Sequence, residues 1–133
     1  MAYPRSRTGE AADEREVPMR CMLLIHGNES GWDMLSDAER TAQYERHGAV
    51  QREMEERGHY VAGDELASAT SAKLVRVRGG ETTVSDGPLA DTEEQFGGYF
   101  VVDCDLETAL AYAATIPAAE GGTIEIRPLT ESP

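Results

Sequence analysis

The chain has 133 residues, enough for one domain with a working core and too few for a second. It carries 25 acidic against 12 basic residues and a single lysine, Lys73, for a net charge of −13. Neutralising phosphates takes clustered Lys and Arg, so direct nucleic-acid binding is not expected, and no run of about 18 apolar residues is present to cross a membrane.

Residues 1–18 hold three arginines, four acids and two prolines with no apolar stretch. A secretory signal needs an apolar run of about 7–15 residues, so a cytoplasmic location is expected. The segment reads as an N-terminal extension, with the compact domain over residues 19–133. Arg20–His26 is a nearly continuous apolar run followed by the turn formers Gly27, Asn28 and Gly31, which predicts a first strand. Cys21, Leu23 and Ile25 point to one side and Met22 and Leu24 to the other, so both faces need cover.

Ser36 lies three residues before Glu39, a capping-box spacing, and residues 37–57 are dense in helix formers up to Gly58. Tyr44, His47, Val50 and Met54 fall on one stripe of this helix, which turns His47 inward. His59–Leu66 is a second strand. Lys73–Arg78 and Thr82–Ser85 flank Gly79-Gly80 as a hairpin. Thr92–Gln95 reads as a short helical turn, and Gly98–Asp103 as a strand apolar on both faces. Asp105 caps a second helix whose stripe is Leu106, Ala109, Leu110, Ala113 and Ile116, ended by Pro117. Thr123–Arg127 alternates as the last strand.

The order is β-α-β-(hairpin)-β-α-β, the pattern of a ferredoxin-like α+β unit with both helices on one sheet face. Two strands apolar on both faces leave the other side of the sheet without cover, and large apolar patches are rarely left in water. A second copy packed sheet to sheet is the simplest cover, so a homodimeric α+β barrel is expected. Cys21 and Cys104 match no metal spacing. With the two strands that carry them taken as parallel neighbours, they are expected at opposite ends of the sheet, buried and unbridged.

Met19–Gly27, Val61–Leu66, Asp86–Tyr99, Ile116–Ala119 and Glu125–Pro128 together resemble the YCII-related family, in its DGPF branch. The most specific part is Asp86–Tyr99, where the signature Asp-Gly-Pro-Phe stands as Asp86-Gly87-Pro88-Leu89. The resemblance implies the dimeric barrel just argued, with a cleft beside the sheet for a compact organic molecule. It also implies a histidine on the first helix acting with an acid, and His47 matches that place. The acid expected before the proline after the second helix is absent, because Ile116 precedes Pro117; Asp64, Glu65 and Asp86 are the alternatives.

The candidate catalytic residues are therefore His47, whose imidazole titrates near neutrality, and Asp86. The candidate ligand-binding residues are His26, Glu65, Arg76 and Tyr99. No metal spacing such as His-Glu-x-x-His and no cofactor motif is present. Two functions compete. One is a dimer that binds a small organic ligand or a regulatory partner in its cleft; the other is an acid/base enzyme, isomerase- or lyase-like, using His47 with a nearby carboxylate.

Overall fold

The computed structural model describes residues 17–130. The expected extension over residues 1–18 therefore lies, apart from Val17 and Pro18, outside the described residues. In chain order the elements are β1 (Met19–Gly27), α1 (Glu29–Asp33), α2 (Asp37–Glu56), β2 (Tyr60–Glu65), β3 (Lys73–Arg78), β4 (Glu81–Asp86), β5 (Gln95–Cys104), α3 (Leu106–Thr115) and β6 (Thr123–Pro128). Single 3₁₀ turns occupy Ala69–Ser71 and Pro117–Glu120.

The capping box forms as the sequence predicts: the Ser36 hydroxyl accepts from the Glu39 amide and the Glu39 carboxylate accepts from the Ser36 amide. Gly58, at φ 74°, turns the chain out of α2 in the left-handed region open to glycine. Asp105 caps α3 by accepting from the Thr108 amide. Among the described residues no helix is long and apolar enough to cross a membrane.

Four strands form one sheet in the order β2-β5-β1-β6, each antiparallel to its neighbours. The two β-α-β units interleave: β1 and β2 flank β5, and β5 and β6 flank β1. This α+β arrangement with an antiparallel sheet is compatible with a ferredoxin-like fold. The hairpin β3–β4 pairs only with itself, as a separate two-stranded ribbon.

This interleaving corrects the expected placement of the cysteines. The strand inserted into a split β-α-β unit runs against both strands beside it, so β1 and β5 are antiparallel rather than parallel. Met19 pairs with Cys104 and Cys21 with Val102, which puts the two cysteines at the same end of the sheet. Both are free and buried. Burial pushes the Cys21 thiol up to about 11 and the Cys104 thiol up to about 12, with neighbouring negative charge adding to both.

One sheet face and two helices make the core. Cys21, Leu23, Phe100, Val102 and Cys104 meet Val50 and Met54 of α2, Ala109 and Tyr112 of α3, and Ile116. Each large apolar side chain fully buried here contributes about 1.5–3 kcal/mol. Tyr112, outside the expected α3 stripe, is only 2% exposed; its hydroxyl is bonded to His59 Nδ1 at 2.7 Å. Leu110, inside that stripe, is 40% exposed.

On the opposite face Met22 pairs with Val101 and Leu24 with Tyr99. Val101 is buried and the other three are half-buried. The expected helical turn at Thr92–Gln95 is instead a bend leading into β5. Side chains hold it there: the Thr92 hydroxyl donates to the Glu94 carbonyl, and the Gln95 amide donates to the Thr92 carbonyl. Such local bonds compete with helix formation.

Candidate functional site

The helix α2 crosses the sheet with Tyr44 and His47 one turn apart, above the β2–β5 edge. The His47 ring stacks on Phe100, ring centres 4.8 Å apart and 20° from parallel. Phe100 is itself 1% exposed and meets Tyr60 edge-on at 6.3 Å. Gly63 lies opposite Phe100 in the ladder. A Cβ on Gly63 would stand 2.7 Å from Phe100 Cδ1, so the missing side chain is what lets the Phe100 ring lie flat beneath His47.

Beside this floor, the Tyr44 hydroxyl donates to Glu65 Oε1 at 2.9 Å. Glu65 shares its sheet face with Phe100, because it pairs with Gly98 two residues away along β5. Trp32 of α1 meets the Tyr44 ring edge-on at 5.2 Å. Arg40 ties α1 to α2 by donating to the Trp32 and Asp33 carbonyls at 3.3 and 2.8 Å. The cluster thus sets three polar groups, an imidazole, a phenol and a carboxylate, beside the aromatic rings of Trp32 and Phe100.

Burial lowers the His47 pKa below its ordinary 6.5, against the opposing pull of the Glu65 charge. The imidazole is therefore neutral at neutral pH and can accept a proton. His47 has no hydrogen-bond partner among the described residues. The hydrogen bond to Glu65 pushes the Tyr44 hydroxyl up from 10, which keeps it a donor.

The other residues predicted from sequence lie elsewhere. Asp86 ends β4, and its largely exposed carboxylate pairs with Lys73 rather than His47. Arg76 lies on the ribbon with no partner for its guanidinium among the described residues. Tyr99 is on the opposite sheet face from Phe100, its hydroxyl 3.4 Å from Asp64 Oδ2. His26 lies near the end of β1, where its Nε2 donates to Glu125 Oε1 at 3.0 Å and its ring tilts against Phe96 at 5.6 Å. His26 and His59 stand at opposite ends of the sheet, one paired with Phe96 and the other bonded through its carbonyl to the Asp103 amide.

Of the predicted set, His47 and Glu65 come together. Tyr44 was visible on the helical stripe three residues before His47, and Gly63 as a glycine inside a strand. Trp32 carried no signal, because the short α1 that positions it is too brief to show a period. Compared with known proteins, the chain matches the model of the YCII-related domain over residues 19–132. An uncharacterized protein of Rhizobium meliloti (strain 1021) is 36% identical over 110 residues, which covers 80% of this chain and 89% of that protein.

Proposed function

The chain belongs to the YCII-related family, and from that premise we propose that it is a homodimer that binds a compact organic molecule beside α2 at the β2–β5 edge. The observation that carries this reading is the set His47, Tyr44 and Glu65 standing over an aromatic floor. Pockets for small molecules combine mostly apolar walls with a few directed polar groups, and His47 offers nitrogens that no group among the described residues bonds. The signature-like segment from Asp86 to Leu89 fits the DGPF branch of the family. The sheet face of Met22, Leu24, Tyr99 and Val101 supplies the surface for a second copy.

A second reading rests on the lowered His47 pKa: an acid/base enzyme in which the neutral imidazole takes a proton and Glu65 stabilises the imidazolium that forms. Its carboxylate would be Glu65, in place of the predicted Asp86. Binding is the preferred reading because no carboxylate among the described residues bonds His47 directly.

A thermal-shift screen of small organic compounds tests both. A ligand at 100 times its Kd raises stability by about 2.7 kcal/mol, which is readily detected. Hits on the wild type are expected to lose their shift in His47→Gln and weaken in Glu65→Gln. Hits retained in full by both variants would sink the assignment of this site. For any hit, turnover abolished by His47→Gln with binding largely kept would favour the enzyme.

A further inference from the structure

The charges and hydrogen-bonding roles around His47 narrow the class of ligand. Asp64 pairs with Tyr99 and Glu65 with Gly98, and side chains alternate along a strand, so Glu65 faces α2 while Asp64 faces away from it. Glu65 is the carboxylate whose charge acts on both His47 and Tyr44. Its Oε1 accepts from the Tyr44 hydroxyl. Its Oε2 has no hydrogen-bond partner among the described residues, and no cation among them pairs with Glu65.

Arg40 is the other charged group that acts on Tyr44, and its guanidinium is already committed. It donates to the Trp32 and Asp33 carbonyls, lies 3.5 Å from the Asp37 carboxylate and stands 6.0 Å from the Trp32 ring centre. An anionic ligand would therefore meet the Glu65 charge with no free cation among the described residues to offset it, and like charges set together disfavour binding. The neutral groups point the same way. The one hydrogen of the Tyr44 hydroxyl goes to Glu65, which leaves Tyr44 none to donate to a ligand. Burial keeps His47 neutral at neutral pH, with one ring nitrogen able to accept.

Resting on the reading of His47, Tyr44 and Glu65 as the ligand site, we propose that the ligand is a compact primary amine in its protonated form, with an apolar body against the aromatic side chains. Glu65 Oε2 accepts one ammonium N–H and the free nitrogen of His47 accepts another. The rings of Tyr44 and Trp32 stand beside them, and aromatic faces attract cations. A net charge of −13 draws cations toward the molecule as a whole.

Isothermal titration calorimetry on the full chain at neutral pH, with benzylamine, benzyl alcohol and benzoate, tests this, because the three share a ring and differ in charge. The wild type is expected to bind benzylamine about tenfold or more tightly than either of the others. Glu65→Gln should remove that preference. Asp64→Asn, which deletes the same charge from the opposite sheet face, should leave it. Benzyl alcohol or benzoate bound as tightly as benzylamine, with the binding lost in His47→Gln, overturns the amine and keeps the site. Failure of benzylamine to bind, beside screening hits that are lost in His47→Gln, does the same. A benzylamine preference that survives Glu65→Gln, or falls equally in Asp64→Asn, comes from the overall charge and overturns the amine at this site. Binding unchanged in both His47→Gln and Glu65→Gln overturns the amine and the site together.

Discussion

Gly63→Ala is the sharpest test of how the site is supported. The new methyl would come 2.7 Å from Phe100 Cδ1 and 3.0 Å from the Tyr99 carbonyl oxygen. The carbonyl is ladder backbone, and the Phe100 ring is wedged between His47 and Tyr60, so neither yields cheaply. Overpacking of this kind costs about 1–3 kcal/mol. Removing a glycine also reduces the entropy of the unfolded chain, which returns about 0.4–1 kcal/mol. The net expectation is a loss of about 1–2 kcal/mol, or a fall in Tm of roughly 3–10 °C. Gly97→Ala is the matched control, since a Cβ there meets nothing within 4 Å, and it should leave Tm unchanged or slightly raised. Urea unfolding gives the free energies, and an NMR titration of His47 reports the site. A displaced Phe100 ring opens the histidine to water and moves its pKa back toward 6.5. A Gly63→Ala protein as stable as wild type, with an unmoved His47, would refute the reasoning.

Further outcomes follow from the same geometry. In the wild type, His47 should titrate below 6.5, and Glu65→Gln should lower it again by removing the charge that favours the imidazolium. With the folded pKa below the unfolded one, the unfolded chain binds more protons, so the His47 contribution to stability is lost as pH falls through 6.5 toward the folded value; urea melts of His47→Gln across that range should show a shallower loss. Ser36→Ala removes the cap on α2 and should cost about 1 kcal/mol by urea unfolding. Leu23→Ala empties a fully buried core position and should cost about 2–5 kcal/mol. A thiol reagent at pH 8 should leave Cys21 and Cys104 largely unmodified in the folded protein and label both once it is unfolded, because burial disfavours the thiolate.

What was legible in the sequence was what depends on neighbours along the chain. The Ser36–Glu39 box, the Gly58 stop, the Asp105 cap and the Gly79-Gly80 tip are all local chemistry, and all four appear where the residues place them. The apolar runs Arg20–His26 and Gly98–Asp103 marked two strands with apolar side chains on both faces, without saying which face meets the helices. The relative direction of those two strands was not legible, because an alternating pattern reads the same in either direction, and the error moved Cys104 to the wrong end of the sheet. At the site, His47 and Glu65 were each visible as residue types. Their meeting with Tyr44 depends on β2 returning alongside β5, a pairing set by tertiary packing. Asp86 shows the reverse case: a well-marked turn residue whose charge is taken up by Lys73, thirteen positions earlier.

The strand order also governs when the molecule can begin to fold. α2 and the β3–β4 ribbon are made from contiguous sequence and can form early. Every ladder of the main sheet is non-local: β1 must wait for β5, which starts at Gln95, and its other edge waits for β6. Until residue 104 has emerged during synthesis, the apolar β1 strand has no register to adopt and α2 has no complete sheet to rest on. High sequence separation of contacts slows folding, and unpaired apolar strands are prone to association in the interval. A nascent chain arrested before β5 should therefore be protease-sensitive throughout β1, with protection appearing in one step once the 95–104 segment is free of the ribosome.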